Sequence, residues 1–300
     1  MSVQVTAIAD KSFGAIITGI DLSELDQAAW RVVEDAFHEF AALVFPAQFL
    51  SEKAQVAFGL RFGEIEILRE NAQAVRISNK KPDGTLYQAG DFRFKTLRGN
   101  EGWHIDSTYM PLAAKAGLLS AIAVPPVGGE TELADMRAGY DCLDEATRAE
   151  IAKLSAYHSL YASQAKLGYS VATGAGYGYH NKGAPLRPLV KVHPVTGRKA
   201  LCIGRHAYRI PGMDDAKAQA LLDGLLQRTC QGARVYTHHW TVGDLLVWDN
   251  RCVLHRARPY DFNEVRVLQG TRIAGDPATE LAATGRDERA SGFAPSCSNR

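Results

Sequence analysis

The sequence lacks the features of several large classes of protein. No apolar run approaches the roughly 20 residues that a membrane-spanning helix needs. The N-terminus has no basic segment followed by an apolar stretch, which a secretory signal peptide would have. No repeat of roughly 20 to 50 residues and no long linker rich in glycine, proline or serine is present. We therefore expect neither a membrane protein, nor a secreted protein, nor a repeat array.

Cysteine is scarce, and neither sign of charge is in excess. The five cysteines are odd in number and form no CxxC pair, which is typical of reduced thiols in a cytoplasmic protein. Lys plus Arg number 34 and Asp plus Glu 33, so the net charge is +1 and no overall field attracts nucleic acid or an anionic membrane. A hydrophobic content of 46% excludes a disordered chain. Composition thus predicts a cytoplasmic globular protein.

Short strands dominate the second two thirds of the chain. Helical spacing of apolar residues is confined to segments 26–41, 51–62, 144–154 and 214–230. Strand-like runs, separated by glycine and proline, lie at 118–124, 131–134, 189–192, 200–203, 234–240, 244–248 and 265–273. Many short strands with few strand–helix alternations predict an antiparallel sandwich or jelly roll.

Two segments show no clear period. Residues 66–101 mix charged, glycine and aromatic residues, and a polar segment of this length predicts a lid-like loop near a functional site. Residues 277–300 lose hydrophobic periodicity and predict a frayed C-terminal tail. The remaining chain, residues 1–276, is predicted to form a single domain.

The first candidate for chemistry is the segment Trp103-His-Ile-Asp-Ser107. In an extended strand, His104 and Asp106 project from the same face, because side chains alternate. An imidazole and a carboxylate on one face can bind one divalent metal ion. The alternative is a histidine that forms a hydrogen bond with a nearby acid.

The second candidate lies downstream, where a strand and a tight Asp-Asn turn lead into a strand with His255. Two imidazoles and one carboxylate form the triad that holds non-haem Fe(II) and leaves positions open. Arg266, eleven residues after His255, needs an anionic partner if it is buried. It could receive the far carboxylate of a dicarboxylic keto acid bound to the iron, with the Thr131 hydroxyl as second donor. The alternatives are a structural ion pair for Arg266 and a plain strand threonine at 131.

These motifs resemble those of a known family. The WHxDS block, the turn Val127-Gly-Gly-Glu-Thr131, the block Trp248-Asp-Asn-Arg251 with His255, and the spacing to Arg266 occur in the order found in the taurine dioxygenase and 2,4-D dioxygenase family. These are Fe(II)/2-oxoglutarate-dependent oxygenases, and the resemblance covers most of the chain. It implies a mainly β fold with flanking helices around a distorted double-stranded β-helix, or jelly roll. It also implies that His104, Asp106 and His255 bind iron, and that Thr131 and Arg266 hold the distal carboxylate of 2-oxoglutarate.

Within the family, the sequence is most similar to bacterial aryloxyalkanoate dioxygenases, especially the (S)-phenoxypropionate type. Leu68 stands where taurine enzymes place a histidine, and Gly270 where they carry a second arginine; the next arginine is Arg272. Both differences imply an aromatic, less polar substrate. The implied reaction uses O2 and 2-oxoglutarate to hydroxylate the ether-bearing carbon of a phenoxypropionate or phenoxyacetate. Its products are a phenol and pyruvate or glyoxylate, with succinate and CO2.

Several side chains are candidates for contact with the substrate. Asn100 matches a substrate-contacting position of the family, or it caps a loop. Tyr109 and Trp248 are either cavity walls or core residues. Ser107 and Leu68 complete the pocket candidates. The candidates for binding the substrate carboxylate are Arg272, Lys95 and Arg205 with its neighbour His206, and the sequence does not rank them. Lys95 and Arg205 could equally be exposed, solvated side chains.

Other functions stay open at this level. The same chemistry could act on an alkyl sulfonate, an alkyl sulfate or another small carboxylate. Another alternative is a non-catalytic metal-binding β-barrel, or a zinc protein with the same ligands. Neither needs a separate binding site for a carboxylate. An oxygenase of nucleic-acid bases is disfavoured by the balanced charge. The predicted partner is a small aromatic carboxylate, with no nucleic acid or membrane, and the chain could form a homo-oligomer.

Overall fold

The computed structural model describes residues 2–290. The helices are α1 (Gln27–Phe40), α2 (Glu52–Gly59), α3 (Phe92–Gly99), α4 (Met136–Asp141), α5 (Glu145–Ile151), α6 (Leu160–Ala165), α7 (Asp215–Thr229) and α8 (Pro277–Glu280). The strands are β1 (Gln4–Ala7), β2 (Ala15–Thr18), β3 (Ala42–Phe45), β4 (Val75–Ser78), β5 (Ala114–Ala123), β6 (Thr131–Asp135), β7 (Ser155–His158), β8 (Ala184–Pro188), β9 (Val190–Val192), β10 (Lys199–Leu201), β11 (Ala207–Tyr208), β12 (Val235–His238), β13 (Leu245–Asp249), β14 (Val253–Ala257), β15 (Val267–Ala274) and β16 (Thr284–Gly285).

The strands form one large sheet and three smaller ones. The large sheet has seven strands in the order β1-β2-β3-β13-β5-β15-β4, and a second sheet has the order β12-β6-β14. The sheets β11-β7-β8-β16 and β10-β9 complete the architecture. Between residues 2 and 290, every named strand pair except β2–β3 is antiparallel. This arrangement is the antiparallel sandwich that the strand pattern predicts.

The large sheet is buried on both faces. In β13, Leu246 and Trp248 belong to the core shared with the β12-β6-β14 sheet. The alternating residues Leu245 and Val247 belong to a second core, on the opposite face. Because side chains alternate along a strand, a strand covered on both faces must be apolar throughout, which explains the continuous run in β13.

Helix α1 covers the outer face of the large sheet. It begins where the Asp26 side chain accepts a hydrogen bond from the Ala29 amide at 2.7 Å, which satisfies one free donor of the first turn. Trp30, Val33 and Phe37 form its buried stripe. The helix ends at Ala41, whose φ of 59° is left-handed. Its buried stripe joins α2 in the second core.

Two irregular segments of the sequence are more ordered than the sequence predicts. The segment 66–101 contains β4, which pairs with β15, and the helix α3. The segment from Pro277 begins with α8 and continues into β16, which pairs with β8. The prediction of a frayed tail is therefore wrong for residues 277–285, whose backbone is held by neighbouring strands; residues 291–300 lie outside the described part. No helix in residues 2–290 is both long and apolar enough to cross a membrane.

Candidate metal centre and its cavity

The three predicted metal ligands meet in the structure. His255 lies on β14, and its backbone exchanges two hydrogen bonds with His104, at 3.0 and 2.9 Å. The Asp106 carboxylate lies 3.9 Å from His104 Nε2 and 3.7 Å from His255 Nε2. The three donor atoms all lie within 4.8 Å of one another. This compact, buried set of two imidazoles and one carboxylate suits a divalent transition metal with open positions.

The local backbone differs from the predicted strand. His104 forms an isolated bridge with His255, and Asp106 already lies in the turn that follows. Ser107 has a φ of 55°, in the left-handed region that disfavours non-glycine residues. The turn, rather than strand alternation, therefore brings Asp106 towards His104.

Both ligand histidines are held neutral. His104 Nδ1 lies 2.8 Å from the carbonyl oxygen of Gly102, and since a carbonyl only accepts, Nδ1 carries the proton and Nε2 keeps its lone pair. Burial, reinforced by the neighbouring His255, lowers the pKa of His104 well below its ordinary value. Burial likewise lowers the pKa of His255. Neutral imidazoles are the form that binds a metal.

Asp106 is held in its charged form. Burial disfavours the carboxylate, but the charge and hydrogen bond of Arg272 offset it, so the pKa of Asp106 is lowered overall. Arg272 Nη2 donates to Asp106 Oδ1 at 2.7 Å, and Nη1 donates to Ser107 Oγ at 3.0 Å. Arg272 therefore stabilises the ionised ligand, and its guanidinium is already occupied.

Glu66 and Tyr177 belong to the same cluster. Ser107 Oγ donates to Glu66 Oε2 at 2.8 Å, and the Tyr177 hydroxyl donates to Glu66 Oε1. Arg272 Nε lies 3.8 Å from Glu66 Oε2. Burial raises the pKa of Glu66, while Arg272 opposes that shift. Sequence reasoning missed both residues, and the only signal was the alternation of glycine and tyrosine at 174–179.

A second group of potential ligands is satisfied internally. His193, Asp249 and Cys252 also lie close together. Asp249 accepts from His193 Nε2 at 2.9 Å and from Arg251 Nη2 at 2.6 Å, both at the same oxygen. His193 Nδ1 accepts from the amides of two residues in the next turn. With these donors and acceptors paired, the group is a structural ion-pair network.

The two residues predicted to hold a distal carboxylate lie near the start of β6. Arg266 immediately precedes β15, although the strand predicted at 265–273 would have included it. Its Nε donates to the Gly129 carbonyl at 2.9 Å. Thr131, two residues further along, accepts from the Trp240 indole at 3.0 Å, which leaves its own proton free to donate. Within residues 2–290, no carboxylate lies within 4 Å of the Arg266 guanidinium. Burial lowers the pKa of Arg266 to about 10.

A cavity of about 930 Å³ opens beside the metal centre. Of the predicted pocket residues, those in its wall are Leu68, Asn100, Tyr109, Arg205, His206, Trp248 and Arg272. Ser107, Thr131 and Arg266 are buried but are not part of this wall. The segment 66–101, which contains β4 and α3, supplies much of the wall; its role as a lid stays a prediction.

The structure separates the three cation candidates. Lys95 is not part of the cavity wall, because its ammonium group lies over the Tyr169 ring, 5.3 Å from the centroid. Arg272 is bound to Asp106. Arg205 lines the cavity, its Nη2 donates to the Ser163 carbonyl at 3.2 Å and its Nη1 to the Gly99 carbonyl. In the described part of the chain, no carboxylate lies within 4 Å of Arg205, and burial lowers its pKa to about 10.

Known proteins resemble this chain over nearly its whole length. The profile of the "Taurine catabolism dioxygenase TauD, TfdA family" matches residues 4–272. An (S)-phenoxypropionate/alpha-ketoglutarate-dioxygenase of Sphingobium herbicidovorans is 49% identical, over 91% of this chain and 96% of its own. A 2,4-dichlorophenoxyacetate dioxygenase of Cupriavidus pinatubonensis is 39% identical, over 88% of this chain and 95% of its own. The crystal structure of AAD-2 with Mn(II) and N-oxalylglycine superposes with a TM-score of 0.85 at 35% identity, covering 95% of this chain and 100% of that one, which confirms the predicted fold.

Proposed function

The chain belongs to the taurine catabolism dioxygenase TauD, TfdA family, and from that premise we propose that it is an Fe(II)- and 2-oxoglutarate-dependent dioxygenase of aryloxyalkanoates. The substrate C–H bond, 2-oxoglutarate and O2 are converted into an alcohol, succinate and CO2. When the hydroxylated carbon also bears the ether oxygen, the product collapses to a phenol and a keto acid. That acid is pyruvate from a phenoxypropionate and glyoxylate from a phenoxyacetate.

One observation carries the proposal: the buried His104–Asp106–His255 set faces a cavity that also contains an arginine without a carboxylate partner. The donor set fits iron, since both imidazoles are neutral and the carboxylate is ionised. When bound, Fe(II) with 2-oxoglutarate supplies the oxidising chemistry.

Arg266 and Thr131 are the proposed anchor for the distal carboxylate of 2-oxoglutarate. A guanidinium this deeply buried is unfavourable without an anion, and its planar fork suits a carboxylate. The free hydroxyl proton of Thr131 adds one donor. A 2-oxoglutarate site in this fold is supported by the AAD-2 complex, because N-oxalylglycine differs from 2-oxoglutarate only by an NH in place of a CH2.

Arg205 is the proposed anchor for the substrate carboxylate. It reaches the cavity wall from a backbone position next to the metal loop, since its amide donates to the Trp103 carbonyl at 2.8 Å. The apolar residues of the same cavity wall include Leu68, Leu119 and Trp248, which suit an aryl ring. An aryloxyalkanoate has both parts, one carboxylate and one aromatic ring.

The protein's part in the reaction is to hold its reactants in place and exclude water. Trp248 packs on His255 with 4.5 Å between ring centroids, and Tyr109 packs on His206 at 4.8 Å. These buried rings fix the ligand side chain and the cavity wall in one arrangement. Fixed reactants in a dry cavity avoid the entropic and solvation costs of a reaction in water.

The proposal also concerns the domain organisation and the cellular location of the enzyme. His104 and His255 lie 151 positions apart and yet share one site, which supports a single catalytic domain; residues 277–285, which pack against it, extend the predicted range of 1–276. A cytoplasmic location and a possible homo-oligomer stay predictions.

The metal site is tested by anaerobic addition of Fe(II) and 2-oxoglutarate, with the visible charge-transfer band as readout. We expect the band in the parent protein and its loss in His104→Ala and Asp106→Ala, because each variant lacks one ligand. Matched controls are His239→Ala, whose side chain is 78% exposed, and Asp35→Ala on the exposed face of α1. A band that persists in both ligand variants would contradict the assignment.

The substrate is tested by incubation with each phenoxypropionate enantiomer, with phenol and succinate measured together. Arg205→Gln should raise KM for the substrate by about tenfold or more, as loss of a charged hydrogen bond predicts, with little change in KM for 2-oxoglutarate. Arg205→Lys should recover part of the loss. If neither enantiomer gives phenol and an alkyl sulfate releases succinate faster, the chemistry stands and the substrate class is wrong.

A further inference from the structure

Glu66 has no part in the proposed binding of iron, 2-oxoglutarate or substrate. Nevertheless, its largely buried carboxylate accepts two side-chain hydrogen bonds, from Ser107 at 2.8 Å and from Tyr177. Its backbone amide also donates to the Arg272 carbonyl at 2.8 Å. Burying a carboxylate is costly unless its oxygens accept hydrogen bonds. These contacts offset that cost and hold the Glu66 carboxylate in one position.

The contacts of Glu66 lead directly to the ligand Asp106. Ser107 is the next residue after Asp106, fully buried, with its backbone in the left-handed region. Such a conformation persists only when the surroundings fix it, and here the Ser107 hydroxyl is bound by Glu66 and by Arg272 at 3.0 Å. Arg272 in turn lies between the Asp106 and Glu66 carboxylates, 2.7 Å and 3.8 Å away. Glu66 thus fixes both neighbours that orient Asp106.

Tyr177 connects this network to the cover of the cavity. It lies in the segment 166–183, which contains no helix or strand and contributes Gly176, Tyr177 and Tyr179 to the cavity wall. At Gly178, with a φ of +87°, an added Cβ would lie 2.4 Å from the Tyr109 ring, so the segment packs tightly there. The hydroxyl of Tyr177 also lies 3.4 Å from Ser107 Oγ.

We propose that Glu66 is a positioning residue and that its hydrogen bond with Tyr177 acts as a latch. The latch couples the closed position of segment 166–183 over the cavity to the orientation of Asp106. The proposal rests on the proposed function for its catalytic consequence. When the segment lifts, Glu66 loses its Tyr177 donor and the Ser107–Arg272 pair loses its fixed partner. Asp106 is then free to rotate, so that the complete ligand geometry exists only under a closed cover.

The latch itself is tested without chemistry, by hydrogen exchange of the metal-free protein. Tyr177→Phe removes only the hydroxyl, and Glu66→Gln removes only the charge. Both should accelerate exchange in peptides from 166–183 by about tenfold, the effect of one lost hydrogen bond to a charged group, while peptides from β13 and β5 stay unchanged. Matched controls are Tyr169→Phe, in the same segment, and Glu64→Gln, on the exposed side two residues away.

The positioning role is tested by a double-mutant cycle with two readouts. With Fe(II) and 2-oxoglutarate bound anaerobically, both variants should bind iron more weakly and shift the charge-transfer band. In turnover, kcat should fall by about tenfold with KM for substrate nearly unchanged, and succinate released per phenol should rise. The double variant should be no worse than the more affected single variant, because Tyr177→Phe removes and Glu66→Gln weakens the same contact.

The outcomes separate this inference from the proposed function. Exchange in 166–183 that matches the parent in both variants overturns the latch, as do strictly additive effects in the cycle. Faster exchange with an unaltered band and unaltered kcat overturns the positioning role. If the parent protein shows no charge-transfer band, the proposed metal site and the positioning role fail together, while hydrogen exchange still decides the latch.

Discussion

At the scale of single residues, burial decides which ionisation state each group of this protein has. Three interior histidines are held neutral, because burial lowers the pKa of His104, His158 and His206 well below the ordinary value. For His158 the next cause after burial is the nearby Arg187. Neither ring nitrogen of His158 has a hydrogen-bond partner. This residue therefore opposes folding wherever the unfolded chain can bind a proton.

The consequence is a loss of stability on acidification. Because the folded-state pKa is lowered, the unfolded chain binds more protons below its ordinary histidine pKa of about 6.5, and the free energy of unfolding falls as the pH drops below that value. We expect His158→Leu to reduce this slope by up to about 1.4 kcal/mol per pH unit. Urea unfolding of the metal-free protein between pH 7 and pH 5 measures it. His239→Leu, at an exposed side chain, should keep the parent slope, and an unchanged slope in His158→Leu would contradict the expectation.

Buried arginines at this scale divide into occupied and available groups. Arg187 is buried and saturated, since it donates to the carbonyls of Thr108, Met110, Pro111 and Glu280. Arg266 is buried and Arg205 is half-buried, and neither has a carboxylate within 4 Å in the described chain. Residue type does not distinguish these cases. Only the contacts show which guanidinium can receive an anion.

At the scale of elements, the metal centre depends on how β5 and β13 fit together. Gly117 of β5 pairs with Trp248 of β13, and an added Cβ at Gly117 would lie 2.3 Å from the indole ring. Trp248 in turn packs on His255. A glycine in β5 thus determines where a ligand histidine can lie.

This close approach predicts that Gly117→Ala harms both stability and metal binding. Overpacking at a buried strand pair costs about 1 to 3 kcal/mol, and the displaced indole would move His255. We expect a lower melting temperature and weaker Fe(II) binding, measured by calorimetry and anaerobic titration. Gly224→Ala is the matched control, because its Cβ would meet nothing within 4 Å in α7, where alanine is favoured. Equal effects of the two changes would refute the packing argument.

Most elements with a clear period were predictable, and the exceptions have a common cause. Helices α1, α5 and α7 lie within the predicted segments, and strands β6 and β13 match theirs to within one residue, because apolar spacing alone defines them. Strand β4 and helix α3 were missed in the polar segment 66–101. Both are held by tertiary partners, β4 by β15 and α3 by the Asn100 carbonyl that accepts from the Ala257 amide.

At the scale of the whole molecule, the net charge of +1 conceals an uneven distribution. Seven cationic side chains line the cavity against two acidic ones, Glu52 and Asp106. The seven are Arg69, Arg76, Lys80, Lys81, Arg93, Arg205 and Arg272. A cleft lined by one sign of charge attracts the opposite sign locally, even when the whole protein is nearly neutral.

This distribution predicts a salt-dependent capture of anionic substrate. Raising the ionic strength from about 0.02 to 0.3 M shortens the screening length to well below 10 Å, so kcat/KM for a phenoxypropionate should fall by roughly three- to tenfold. The methyl ester of the same substrate, where it is turned over, should show little change. A salt-independent kcat/KM for the anion would mean that these cations do not steer it.

The amino-acid sequence by itself determined the chemistry of this protein. The types and order of His104, Asp106, His255 and Arg266 favoured an Fe(II) site that binds a keto acid, and the resemblance to a known family implied 2-oxoglutarate. The strand pattern predicted the sandwich, because alternation and turn residues are local properties.

Only the tertiary structure distinguishes the cations that the sequence left as equal candidates for the substrate carboxylate. In the folded chain Arg272 binds the Asp106 carboxylate, and the Lys95 ammonium group lies over the Tyr169 ring. Arg205 lines the cavity and has no carboxylate partner among the described residues. Folding also joined Glu66 to Ser107 and Tyr177, which lie 41 and 111 positions away. Such pairings depend on the packing of distant segments, and no local spacing encodes them. The choice among chemically equivalent cations is therefore made by burial and by the partners that folding brings within hydrogen-bond distance.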